Sequence, residues 1–348
     1  MNRLGSILFF ILIIIVSCTN NTTSVTDEDI TWEKVDSPII INDCFVVPEG
    51  STLTIEPGVI VKFKSSENIE QCDDFYYDNL NVGMIHIKGR LIAEGTEQDS
   101  ILFTRDGNSG KWGIIWFQTI DSLSIMKNCL IEHTNPISTA GTCFNVLGGI
   151  SFYSSNVFIS NCTIQNNHWG LYCFSYPSPL IVNNVISNNE SDGIICSSNS
   201  SPQIINNLFI NNGCGIDCEI SSDAVIINNT IANNHRGICV SSSNPLVKNT
   251  IIWGNDYCFT VTSGSISLSN SLIQYSDLPS YIQDLGFNIL NSDPLFMNPD
   301  QDDFQLLQES PCINSGDSNV QNLPESDLMG NPRISGIAID IGAYEFQE

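Results

Sequence analysis

Between about Asn128 and Asn270 the chain repeats itself, and this limits its possible folds more than any other feature. The segments SNCTIQNNHWGLYC, NNVISNNESDGIIC, NNLFINNGCGIDC, NNTIANNHRGICV and KNTIIWGNDYCFT align on Asn, aliphatic and Gly positions. Asn184, Asn207, Asn229, Asn249 and Asn270 share one column of that alignment, with Cys162 in the Asn place at the second coil. Gly170, Gly193, Gly215 and Gly237 share another, at spacings of 23, 22 and 22 residues (193−170, 215−193, 237−215). A fixed period of this size marks a solenoid, where a unit buries its apolar face only by stacking on its neighbours.

The units are made of strands. Runs such as AVIIN, TIAN and GICVS are four to five residues long. β-Branched residues and Asn dominate and no 3.6-residue period persists, which excludes a helical solenoid. Three short strands with turns then make one coil of roughly 20–23 residues. Ile159, Ile181, Ile204, Ile226 and Leu246 read as one inward row, and Ile164, Ile186, Phe209, Ile231 and Ile251 as another. The Asn column falls where the second strand bends sharply into the third. Asn tolerates the left-handed backbone, and stacked Asn side chains hydrogen-bond along a column.

The first residues stand apart. Arg3, an apolar run from Ile7 to Val16 and then Ser17-Cys18 read as a secretory signal peptide. Ile15-Val16-Ser17-Cys18 resembles a bacterial lipobox, which implies lipidation of Cys18 and a membrane anchor on an exported outer-membrane lipoprotein. Such a protein faces the periplasm or the cell surface. The expected division is 1–18 leader, 19–29 tether, 30–111 N-terminal cap and first coils, 112–276 repeats and 277–348 C-terminal capping module. Twelve of the 13 cysteines remain (13 − 1) once Cys18 is set aside. Cys173, Cys196 and Cys218 each follow a column Gly by three residues, on the face of Leu171, Ile194 and Ile216. They read as buried, reduced core, although coils about 4.8 Å apart would permit a bridge. Cys44 and Cys72 are the better disulfide candidates.

Charge narrows the partners. The net charge is −26, and from Asp277 onward 13 acidic residues face one basic residue, Arg333. With no basic stripe to displace counterions, nucleic acid is excluded as a partner. A monomer is expected.

The order of several further segments resembles a known family. VPEGSTLTIEPGVIVKF, GRLIAEGTE, ILFT and KWGIIWF resemble the opening coils of bacterial exported β-helix proteins. The Asn/Gly coils look like the parallel β-helix repeat of the pectin-lyase-like fold. DPLFMNPDQDDFQL, SPCINSGD, DLMGNPRISG and DIGAYE resemble the C-terminal segment of many such surface proteins. The resemblance implies an all-β, right-handed parallel β-helix along nearly the whole mature chain. It also implies a sugar polymer lying along one outer sheet, cut in some members by a base with carboxylate-bound Ca2+ and in others by paired Asp.

That resemblance points to the outer residues of the repeats. The strand after each column Gly is expected to expose Tyr172 and Phe174, Ile195 and Ser197, Asp217 and Glu219, then Cys239 and Ser241. Only one coil thus presents paired carboxylates, which can act as acid and base in glycoside hydrolysis or form a solvated pair. The preceding turn carries His168-Trp169, Ser191-Asp192, Gly213-Cys214, His235-Arg236 and Asp256-Tyr257. Arg236 with His235 could supply a charge stabiliser and a base, with Asp192 two coils away, while His168, Trp169, Tyr172 and Tyr257 suit a ligand surface. The same turn could equally be one that merely accepts polar and aromatic residues. His133 and Lys248 read as isolated, and Ser138 to Gly149 as a loop rimming a binding face. The expectation is a lipid-anchored envelope protein binding glycans or partners along an outer sheet without catalysis, cofactor or metal. Its alternatives are a polysaccharide lyase or glycoside hydrolase, with Ca2+ only for the lyase, and a structural stalk or surface-layer protein.

Overall fold

The computed structural model describes residues 29–67, 82–119, 122–138, 145–146 and 148–347, together with the backbone of 15–16. Apart from that backbone, the leader lies outside the described residues, as do Cys18 and Cys72 of the expected Cys44–Cys72 pair. Three long parallel sheets, of nine, eleven and twelve strands, run the length of the molecule. One coil passes through them in turn: Leu171–Phe174 in the first, Leu180–Val182 in the second, Val185–Ser187 in the third. This is a parallel β-helix.

Alternation puts every second side chain inside, and strand pairing stacks them into rows. In the second sheet the row is Ile159, Ile181, Ile204, Ile226, Val247 and Leu268. In the third it is Ile164, Ile186, Phe209, Ile231, Ile252 and Ile273. Leu246 and Ile251, expected in these rows, point outward instead. The coil after Ile226 is 21 residues long (247−226), against 22 and 23 before it (226−204, 204−181), so aligning on Asn slips the register by one. Cys173, Cys196 and Cys218 do stack in the first sheet, fully buried and unbridged.

The same slip corrects the Asn column, because two adjacent columns share its work. Asn128, Asn161, Asn183, Asn206, Asn228, Asn249 and Asn270 take the left-handed conformation, with φ between 47° and 60°. The residue after each forms a ladder. Cys162 N–H donates to Asn184 Oδ1 (2.9 Å), Asn184 to Asn207 (2.9 Å) and Asn207 to Asn229 (2.8 Å). Thr250, Ser271 and Asn288 then continue it. Asn249 and Asn270 therefore make the bend, while Thr250 and Ser271 carry the ladder. A second ladder, Asn167, Asn189, Asn212, Asn234 and Asn255, lines the corner between the third and first sheets. These side chains satisfy buried backbone groups that stranding would penalise by about 1–3 kcal/mol each.

The ends are built from the same coils and from the tail. In the region 30–111 the first coils begin at once: Ile30–Trp32, Ile39–Ile41 and Cys44–Val47 form a coil that pairs with the next. At the far end Tyr275, Leu278 and Tyr281 pack on the core. The tail beyond them turns back along the flank. Phe296, Phe304, Leu306, Cys312, Ile341 and Tyr344 cover the outward residues Leu208, Ile210, Ala232, Ile251 and Leu272 of the third sheet. Val320 reaches round to Val182, Ile205 and Ile227 of the second. Lys248, far from isolated, pairs with Asp317 of the tail at 2.6 Å. Within the tail, Arg333 and Glu345 form a buried ion pair at 2.6 Å, and Gly342 O accepts a further bond from Arg333. Burial pushes the Glu345 carboxyl up to about 7.

Candidate functional site

Among the described residues, the tail packs on the outer faces of the third and second sheets but not on that of the first. The strands Asp192–Ser197, Cys214–Glu219, Arg236–Ser241 and Tyr257–Val261 stack there. Each begins at a tight corner. A Cβ on Gly193 would lie 2.7 Å from Gly215 O, and one on Gly215 equally close to Gly237 O, so only Gly lets successive coils approach. Two outward rows result. One is Asp192, Cys214, Arg236 and Tyr257, and the other is Tyr172, Ile195, Asp217, Cys239 and Thr260.

The second row is less open than alternation alone predicts. Tyr172, Ile195 and Cys239 are nearly buried, and Asp217 and Glu219 are half-buried. Strand neighbours about 4.8 Å away on both sides screen each outward residue, and Cys239 is further engaged in a disulfide with Cys214, Cα to Cα 6.7 Å. Sequence reasoning missed that bridge by placing Cys239 on an exposed strand face. The available signal was parity: Cys239 stands out of phase with Cys173, Cys196 and Cys218.

Six of the expected residues come together. Trp169 Nε1 donates to Asp192 Oδ2 at 3.1 Å, and Ser191 Oγ to the same oxygen at 3.2 Å. Burial raises the Asp192 carboxyl, opposed by those bonds and by Arg236. Asp217 is pushed up to about 7, first by burial and then by the charges of Asp192 and Glu219, with Arg236 opposing. Tyr172 is raised to about 12 by burial and by Glu219. The patch is thus three carboxyls, one guanidinium and two aromatic rings.

Of the histidines, only His168 borders the patch, its ring edge-on to Trp169 with centroids 4.0 Å apart. His235 Nδ1 contacts Asp256 Oδ2 at 2.8 Å and meets Tyr257 edge-on, so it forms no working pair with Arg236. His168 contacts Glu190 at 2.7 Å; Glu190 also pairs with Lys111, and those two partners hold its carboxyl below the usual range. His133 sits 3.6 Å from Glu132. The rim loop is present in part: Ile137–Ser138 and Asn145–Val146 pair antiparallel at the corner leading into the first sheet.

Register also sets the relation of Arg236 to Asp217. Cys214 is beside Arg236, and Cys239 beside Asp217. The disulfide and the line from Arg236 to Asp217 are therefore the two diagonals of one four-residue square. The bridge occupies the first diagonal, and Arg236, among the described residues, joins no ion pair. Nor do any three His, Cys, Asp or Glu side chains among the described residues converge to hold a metal ion.

A family model described as the right handed beta helix region matches residues 100–252. The structure is similar to that of pectate lyase Pel9A, with a TM-score of 0.50 at 15% identity over 86% of this chain and 88% of that one. It is also similar to the periplasmic alginate epimerase AlgG, with a TM-score of 0.44 at 14% identity over 76% and 70%. No curated protein matches the sequence.

Proposed function

We propose that this chain, a right-handed parallel β-helix of the pectin-lyase-like kind, binds polysaccharide along the outer face of its first sheet while anchored in the bacterial envelope by acylated Cys18. One observation carries the reading. The chemical variety of the coils is gathered in one patch, where the part-exposed ring of Trp169 stands beside the nearly buried Tyr172 and Asp192, Asp217, Glu219 and Arg236 offer hydrogen bonds. Apolar rings with a few placed polar groups are the usual makeup of a ligand site. Retention on immobilised polysaccharides, lost in Trp169→Ala, tests it; equal retention of wild type and variant refutes the site. A Cys18→Ser variant that stayed in the membrane fraction would refute the anchor.

A second reading has its own support. A carboxyl raised to about 7 beside a second carboxylate is the arrangement of an acid and its partner in glycoside hydrolysis. Asp217 would hold the proton given to the leaving oxygen, and Glu219, about 7 Å along the strand, would act as base. New reducing ends that vanish in Asp217→Asn, with retention kept, would establish hydrolysis. Hydrolysis is preferred here to a Ca2+-dependent lyase because, among the described residues, no three His, Cys, Asp or Glu side chains converge on a common point.

A further inference from the structure

A cavity of about 310 Å3 lies at the seam between the solenoid and its tail, on the third-sheet side of the corner that leads to that patch. Its solenoid wall is Asn233, Trp253 and Gly254; its tail wall includes Asp293, Phe296 and Asp300. Three local features build it. Trp253 ends the strand Ile251–Trp253 and faces outward, because Ile252 beside it faces in. Its strand neighbour on the preceding coil is Ala232, too small to cover the ring. The chain then turns through Gly254 at φ +72°, where an added Cβ would lie 2.5 Å from Asn233 Oδ1, so the amide and the turn are held against each other.

We propose that this seam is a second saccharide site, which takes one uncharged hexose ring. The half-buried indole offers an apolar face to the C–H face of a pyranose. Asp293 and Asp300 are acceptors for its hydroxyls, and Asn233 can both donate and accept. The cavity lies at the small end of the range for ligand pockets, the scale of a single ring. No cation lines it, so a uronate would bring its carboxylate against two others and be rejected. A chain held here and along the first sheet would be gripped on two flanks, but the seam site does not depend on the patch.

Glucose, galactose, mannose and glucuronate would be titrated into the full mature chain, with tryptophan fluorescence and isotope-edited NMR as readouts. At least one neutral hexose is expected to bind with a millimolar Kd, and glucuronate at least tenfold more weakly. Trp253→Ala should abolish binding. Because that change also removes packing, Asp300→Asn, at an exposed position, is the second variant and should weaken binding about tenfold while the fold is retained. Trp169→Ala should leave the titration unchanged. Binding of no neutral hexose, equal binding of glucuronate, or indifference to Asp300→Asn would overturn the proposal. Loss of binding in Trp169→Ala alone would place the hexose on the first sheet and overturn it too.

Discussion

The third sheet and the first sheet are built from the same coils, yet their outer faces have opposite fates. Outward residues of the third sheet are apolar or small, namely Leu208, Ile210, Ala232, Ile251 and Leu272, and the tail buries them. Outward residues of the first are mixed, namely Tyr172, Asp217, Glu219 and Arg236, and no tail residue clusters with them. A solenoid core needs only its inward rows, so each outer face is free to take another task. One face became an interface within the chain. The other kept the polar and aromatic variety that a ligand surface requires.

The sharpest way to break the contrast is to lift the tail. Arg333→Ala leaves Glu345 buried without its partner, which should cost about 3–5 kcal/mol, and limited proteolysis should then release the segment beyond Asp293. Denaturation with unchanged stability would mean that the pair does not hold the tail. Next in size is the scaffold common to both faces. Asn207→Ala strands the Asn184 N–H and the Ile181 carbonyl, a loss of about 2–3 kcal/mol by urea unfolding. The same change at Asn270, a bend rather than a ladder residue, should cost less.

On the first sheet the effects are electrostatic. The folded Asp217 titrates near 7, raised from 3.8, so the folded state binds the proton more tightly than the unfolded one. Its stabilising contribution is complete below the unfolded value and is lost as pH rises through about 7. Asp217→Asn should therefore raise Tm by about 2 °C or more at pH 8 and by less at pH 5. Replacing Cys214 and Cys239 by Ser clears the diagonal to Arg236, and the Asp217 midpoint should fall by about one unit, roughly 1.4 kcal/mol, by carboxyl NMR. An unmoved midpoint would show that the bridge does not hold the two apart. Smallest is Lys248→Ala: its partner Asp317 is 40% exposed, so the loss should be under about 1 kcal/mol and fade with salt.

The repeat made the inward rows, the buried Cys173, Cys196 and Cys218, and the strand order legible, because period two and a fixed coil length leave little freedom. It misled where coil length changed by one residue, since Asn249 resembles Asn229 in type but matches Asn228 in place. The patch was legible as a set, and Asp192, Asp217 and Arg236 lie on neighbouring coils, close enough to influence one another's charge. The disulfide was not, because outward parity says only that Cys239 leaves the core, and the corner geometry that brings Cys214 to it depends on the turn. The tail's path was equally hidden: a row of outward apolar residues shows that something covers a face, not which segment does.

The division of labour between the two faces is tested most directly by polysaccharide affinity electrophoresis of the mature chain and two variants. Wild type and Lys248→Ala should be retarded alike by at least one polymer, while Trp169→Ala migrates as in a plain gel. Retardation that survives Trp169→Ala, or no retardation by any polymer, would contradict the assignment of the first sheet as the ligand face.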